Sequence, residues 1–450
     1  MSAPIFSALV LLLVILLYPR IQYSSPNEYE ELVMETNILE QEIESLEAEN
    51  EIENLQRIFG FYFDKKLWSQ AADLFTDNAS VEIGGDGIYM GKHRILEYFR
   101  TFGAEGPEEG VLYDHMQLQP VIHVLSKTEA RGRWHLFSQE AEFGKNHFWG
   151  TGVYENEYKK ENGIWKISKL HLFSIMRTPY DKGWGKAALP RSTPNEHLPP
   201  DQPPSVDYEN YPSVFVPPFH FENPVTGGRK PLREPELKEL SLSAEELVSL
   251  MDDLEKRTGL LQDADEVERL HAVYGYYLAR NQWDDLTGIF APDGTIEIAL
   301  RGVYKGHKGI RRNLNLYGVQ DQLPGELHNH MQYQPVIHVS EDRQTALMRS
   351  RAFSMMGSYH GTGMWMGGIY ENIFVKRNGN WMLYKDQVFN TYFAPYDQGW
   401  KDLQRRNPPG INNENPPDAP PTVYFKMYPS AFLPPFHYSN PVTGIHGAHF

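Results

Sequence analysis

From Ile5 to Tyr18 the chain is apolar at nearly every position, bracketed by Pro4 and Pro19, and then it turns acidic. The run is shorter than the ~20 residues of a full membrane span and close to the hydrophobic core of a signal peptide. No basic residue precedes it, and Pro26 spoils the small-residue cleavage site after Ser25. Being apolar all round, it reads less as a core helix than as an export signal or a short uncleaved anchor. Residues 1–25 are therefore expected to export the chain or anchor it to a membrane. The next segment, Asn27 to Gln56, is rich in Glu and carries Leu32, Leu39, Ile43, Leu46, Ile52 and Leu55 at mostly helical spacing. It predicts an acidic helical stalk over 26–50, with a solvated face and no partner.

Beyond residue 50 the hydrophobic pattern occurs twice. Ile58-Phe-Gly-Phe-Tyr62 returns as Val273-Tyr-Gly-Tyr-Tyr277, Trp68 as Trp283, and Asp114-His-Met-Gln-Leu-Gln-Pro-Val-Ile-His-Val124 as Asn329-His-Met-Gln-Tyr-Gln-Pro-Val-Ile-His-Val339. Tyr154-Glu-Asn156 then matches Tyr370-Glu-Asn372, Pro217-Pro-Phe-His220 matches Pro434-Pro-Phe-His437, and Asn223-Pro-Val-Thr-Gly227 matches Asn440-Pro-Val-Thr-Gly444. A period this long means two whole domains and not a solenoid. In each copy an opening helix (51–66, 265–281) leads to a short helix, a short strand, a glycine turn at Gly91 or Gly306 and a third helix. Strands fill the remainder, and Asn162-Gly163 or Asn378-Gly379 marks a tight hairpin. Helices first and an antiparallel sheet after give an α+β fold.

The predicted organisation is domain 1 over 51–185, a proline-rich tail over 186–230, a helical linker over 231–262, domain 2 over 263–402 and a second tail over 403–450. The tails are too rich in proline for a sheet interior, yet they repeat the same aromatic strings, which predicts extended segments docked on the domain surfaces. A Ser243-Ala-Glu-Glu246 capping box opens a helix between the copies.

Composition then removes several kinds of chemistry. A formal net charge of −17 without a Lys/Arg cluster argues against a nucleic-acid partner. The absence of Cys removes thiolate nucleophiles, disulfides and Cys-based zinc sites. No H-E-x-x-H, phosphate-cradling glycine loop or Ser nucleophile elbow occurs, so neither a metal nor a cofactor is expected.

The opening helix with Trp68 or Trp283, the turn at Phe75 or Phe290, the Gly91 or Gly306 turn, the His-led strand and the final Tyr-Glu-Asn, Asn-Gly, Trp hairpin resemble SnoaL-like domains. These belong to the nuclear transport factor 2-like superfamily, which includes scytalone dehydratase and ketosteroid isomerase. The resemblance covers about residues 51–180 and 265–397. It implies two tandem cone-like domains, each a curved antiparallel sheet on about three N-terminal helices, with a mostly apolar pocket at the open end. It also implies a cofactor-independent lyase or isomerase acting on a small apolar hydroxy-ketone or polyketide-like molecule, with His115 and His330 as general acid/base. Imidazole suits that role because it titrates near neutrality. Tyr62 and Tyr277 become candidates for polarising the carbonyl.

One departure matters. The family's partner aspartate lies seven residues before the helix tryptophan, where this chain has Phe61 and Tyr276, so no carboxylate is expected there to orient the imidazole. Asp114 is next to His115, but alternation along a strand turns it to the opposite face. Because His115, Gln117 and Gln119 share one parity and Met116, Leu118 and Ile122 the other, the polar face could instead be solvated and the histidines structural. The other reading is a non-catalytic protein that holds a hydrophobic ligand or a partner, its two domains forming a built-in dimer, with further homo-oligomerisation open. His135, His147 and His360 do not correspond between the copies. His220 and His437 lie in the tails and are expected to serve docking.

Overall fold

The computed structural model describes residues 26–226 and 242–446. The Ile5 to Tyr18 run lies outside the described residues, and among those described no helix is long and apolar enough to cross a membrane. Domain 1 runs α1 (Pro26–Asp64), α2 (Trp68–Asp73), β1 (Phe75–Ile83), β2 (Ile88–Met90), α3 (Lys92–Arg100), β3 (Val111–Val124), β4 (Glu129–Glu142), β5 (Asn146–Glu161) and β6 (Ile164–Pro179). Domain 2 repeats this order as α4 (Ala244–Leu278), α5 (Trp283–Gly288), β7 (Phe290–Ile298), β8 (Val303–Lys305), α6 (Gly306–Leu314), β9 (Glu326–Val339), β10 (Thr345–Ser358), β11 (Gly363–Arg377) and β12 (Asn380–Pro395).

Each domain is one six-stranded sheet, ordered β2-β1-β6-β5-β4-β3 and β8-β7-β12-β11-β10-β9. Neighbours are antiparallel except β1–β6 and β7–β12, which are parallel. The β5–β6 hairpin turns at Asn162 (φ 53°) and Gly163 (φ 81°), the left-handed pair that matches strand twist. Bulges between Leu118 and Val121 on β3 and between Thr151 and Gly152 on β5 bend the long strands around the helices.

Stalk and opening helix are continuous in α1, and α4 begins at the Ser243–Glu246 capping box and continues into domain 2. Their N-terminal halves pack together through Leu32, Leu39 and Ile43 against Leu247, Met251 and Leu254. Arg257 of α4 grips both carboxylate oxygens of Glu47, at 2.8 and 2.7 Å. The acidic stretch thus has a partner, which the reading of a solvated face missed.

The apolar parity of β3 is used between the domains. Met116 and Leu118 join Phe137 and Trp149 against Met331, Tyr333, Phe353 and Trp365 of domain 2. Burying such side chains stabilises the contact by about 1.5–3 kcal/mol each. Of the polar parity of β3, His115 and Gln117 face the interior and are not left to solvent, whereas Gln119, at the bulge, is exposed.

Both tails lie extended on their own domains. Ile88 N–H donates to Gln202 O and Val303 N–H to Ala419 O, each at 2.9 Å. Each tail histidine sits between a strand histidine and a glutamate. His220 lies 2.9 Å from His123 and 2.8 Å from Glu155, and His437 lies 3.0 Å from His338 and 2.9 Å from Glu371. The second tail goes further, placing Phe436 and Tyr438 against Tyr62 of domain 1, with ring centroids 5.5 and 6.3 Å apart.

Candidate functional site

The 3.6-residue pitch of α1 aims Phe59 and Phe63 into a domain 1 cavity of about 380 Å³ and brings Asp64 beside its wall. Across from the helix, β3 and β4 turn His115, Ser138 and Glu140 into the same cavity. The lining is otherwise mostly apolar, with Leu136, Leu170 and Leu172 among it.

His115 lies between two carboxylates. Asp64 Oδ1 is 2.7 Å from its Nδ1, and both Asp64 oxygens accept the His115 backbone N–H at 3.1 Å. Glu140 Oε1 is 3.7 Å from Nε2. Each carboxylate is also held by an arginine. Arg177 donates to Glu140 Oε2 at 2.9 and 3.1 Å. Arg351, reaching over from β10 of domain 2, donates to Asp64 and to Asp114, and its Nε donates to Gln334 at 3.0 Å.

The charges follow from these contacts. Burial is the largest influence on His115 and would lower its pKa. The hydrogen bond and charge of Asp64, with the charge of Glu140, outweigh it and push the ring up to about 9. Burial would likewise raise the Asp64 carboxyl, but Arg351 and His115 hold it below the ordinary range. Glu140 is lowered in the same way against burial, by His115 and Arg177. At neutral pH His115 is an imidazolium, able to donate a proton into the cavity from Nε2.

The expectation that no carboxylate orients the imidazole is therefore overturned. Asp64 supplies one from the last residue of α1, four positions before Trp68 instead of seven. The signal was present as a lone acid closing the aromatic string Ile58-Phe-Gly-Phe-Tyr-Phe-Asp64. Asp114 points away from the cavity, as strand alternation requires, and pairs with Arg351.

Domain 2 keeps the histidine, the serine beside it and a cavity tyrosine (Ser354 and Tyr370 in the places of Ser138 and Tyr154) but has no charged groups in the places around it. His330 is buried and its Nδ1 lies 3.0 Å from Ser354 Oγ. Burial, and then His328, push it down to about 3, so it stays neutral. The places of Asp64, Glu140 and Arg177 are taken by Ala279, Met356 and Phe393. The domain 2 cavity is smaller, about 200 Å³, and Met356, Met366, Val388 and Phe393 line it together with His330, Tyr274 and Tyr370.

Neither expected tyrosine reaches a cavity. The helix turn that aims Phe59 and Phe63 inward rotates Tyr62 towards Phe436 and Tyr438, and Tyr277 packs on the edge of the domain 2 core. Tyr113 and Tyr154 line the domain 1 cavity instead. Burial is the main cause that raises both phenols, so both stay protonated and can donate a hydrogen bond. Of the unmatched histidines, His147 lies at the domain contact, beside Asp181 (3.0 Å) and the backbone N–H of Trp400 (3.1 Å). Among the described residues no group of three or more His, Asp or Glu is arranged to hold a metal ion.

With this geometry in hand, comparison with known proteins gives three results. Against curated proteins the sequence has no significant match. Among solved structures, a putative scytalone dehydratase from Novosphingobium aromaticivorans is 20% identical, with 34% of this chain and 97% of that chain covered and a TM-score of 0.28. A hexachlorocyclohexane dehydrochlorinase from Novosphingobium barchaimii is 18% identical over 30% of this chain and 92% of that chain, with a TM-score of 0.27. Residues 44–171 and 260–385 each match the family model of the SnoaL-like domain. Together these stretches exceed half of the chain, and each covers most of one of the two α+β units; the protein belongs to the SnoaL-like domain family and carries two copies of the domain in tandem.

Proposed function

We propose that domain 1 is the catalytic unit of a cofactor-independent lyase or isomerase. Its substrate would be a small, largely apolar hydroxy-ketone. The observation that carries this reading is His115 fixed between Asp64 and Glu140 at the wall of a mainly apolar cavity. In a dehydration, the Glu140 carboxylate takes the proton from the carbon next to the carbonyl, and the C–H electron pair passes through the enolate to form the C=C bond as the C–O bond breaks. The His115 imidazolium gives its proton to the departing hydroxyl, which leaves as water, and Glu140 then returns its proton to the ring 3.7 Å away, so the net change is loss of one water. Tyr113 or Tyr154 would donate to the carbonyl oxygen as charge develops on it. Domain 2, with a neutral His330 and no carboxylate beside it, would hold an apolar ligand or simply support domain 1.

The test is a screen of β-hydroxy-ketones with wild type, His115→Gln and His330→Gln. The H115Q change should cost about 10²- to 10⁴-fold in turnover, the usual weight of a general acid/base, and H330Q should leave the rate unchanged. Equal rates for wild type and H115Q would defeat the proposal and favour a binding protein.

A further inference from the structure

The sheets of the two domains meet through equivalent residues, Phe137 on Phe353 and Trp149 on Trp365 with ring centroids 6.2 and 5.8 Å apart, but the tails do not follow this twofold. In a twofold arrangement every contact has its mirror. Phe436 of the second tail lies on Tyr62, so Phe219 of the first tail would have to lie on Tyr277. Phe219 is instead 56% exposed, against 8% for Phe436. Trp400, which follows β12, is fully buried against Trp149 and Tyr180 of domain 1, with ring centroids at 4.7 and 4.9 Å. Its counterpart Trp184, which follows β6, is 58% exposed. The same holds along the tails, where Leu433 and Val442 pack on the domain 1 core while their counterparts Val216 and Val225 are exposed.

The receiving surface shows the matching difference. Phe61 and Leu112, covered by domain 2 and its tail, are 2% and 3% exposed; Tyr276 and Leu327, in the same places on domain 2, are 78% and 45% exposed. Tyr359 and Tyr396 widen that open apolar face. Within one chain, then, the head-to-tail contact of a tail with the other domain is made once. Its donor half is left open on the first tail and its acceptor half on domain 2. A head-to-tail interface is not self-limiting: unused halves join successive copies into a ring or an open row. Contiguous exposed apolar patches are also characteristic of association sites.

We propose that the open first tail (Trp184, Val216, Phe219) seats on the open face of domain 2 (Tyr276, Tyr277, Tyr396) of a second copy of this chain. The pairing repeats the contact that the second tail already makes with domain 1. It does not depend on the catalytic reading.

Because the chain has no Cys, single thiols can be placed without background. Full-length Phe219→Cys and Tyr277→Cys proteins, mixed and treated with a short bismaleimide, should give a covalent two-chain product of about twice 51.9 kDa. Each protein alone should stay largely uncoupled, since its thiol would meet an unmodified partner. Adding Trp184→Glu to the first protein, or Tyr276→Glu to the second, should abolish the product. Both residues are exposed, so folding is not at stake, and unchanged circular dichroism would verify that. No product from the mixture overturns the proposal, as does a product that survives either Glu substitution. Equal coupling of Phe219→Cys with itself overturns it too, because that would be a tail-to-tail contact.

Discussion

Replacing Asp64 by Asn keeps the shape of the side chain and removes the charge that keeps His115 protonated. In the wild-type fold His115 stands at about 9, against 6.5 for an ordinary imidazole. At about 1.4 kcal/mol per pH unit, this gap is worth about 3 kcal/mol in favour of the imidazolium. The folded value lies above the unfolded one, so this stabilisation is complete below pH 6.5 and is lost as pH rises through about 9. In D64N the burial that opposes protonation remains, while its strongest counterweight is gone. The His115 midpoint should therefore fall towards or below 6.5, with only Glu140 left to hold it up. The direct measurement is an NMR titration of the ring resonances, with His115 assigned by comparison with H115Q. If the reaction needs the imidazolium, wild-type kcat/KM should decline above about pH 9, and in D64N the decline should begin at about pH 6.5 or below. A D64N midpoint unmoved from the wild-type value would refute the assignment of Asp64 as the group that sets the charge of His115.

Arg351→Met should leave Asp64 and Asp114 without their shared cation and destabilise the chain by about 3–5 kcal/mol, the usual cost of removing one member of a buried ion pair. Urea denaturation followed by tryptophan fluorescence reads this out, and a loss below about 1 kcal/mol would contradict the buried network. Gly399→Ala should also weaken the domain contact, because Gly399 has φ 62° and an added Cβ would lie 2.6 Å from His147 Nδ1. Its expected signature is a lower Tm with faster proteolysis after β12; unchanged values would show that Trp400 docks independently of that turn.

The duplication, the order of elements and the hairpin at Asn162-Gly163 were legible because each depends on local pattern: helical spacing, alternation and a turn pair that needs positive φ. The parallel β1–β6 pairing was not, since no local signal tells a strand which distant edge it will join. The acidic face of α1 was misread for the same reason. Its partner is Arg257 in the linker helix, far away in sequence. At the site, His115 stood out from its place at the head of a strand repeated in both copies. Asp64 was passed over because the residue at the family's expected position, Phe61, is aromatic. Tyr62 follows only from the resemblance and its place on the first helix, and one step along a helix is enough to carry such a side chain out of a pocket.

Once Asp64 is recognised, the two copies inform each other. A histidine kept in both could be structural in both. However, the positions that surround it differ as a group: Asp64, Glu140 and Arg177 in domain 1 stand where Ala279, Met356 and Phe393 stand in domain 2. Partial replacement would leave a buried charge without its counterion, which is strongly unfavourable. Replacing both carboxylates and the arginine together leaves His330 neutral, in a cavity that Met356 and Phe393 now help to line. Domain 2 also faces a constraint from outside its own pocket, because its Arg351 has to reach Asp64. The copy without the charged site thus supplies the cation that holds the aspartate of the other, and the His115–Asp64 arrangement is complete only with both domains folded and docked.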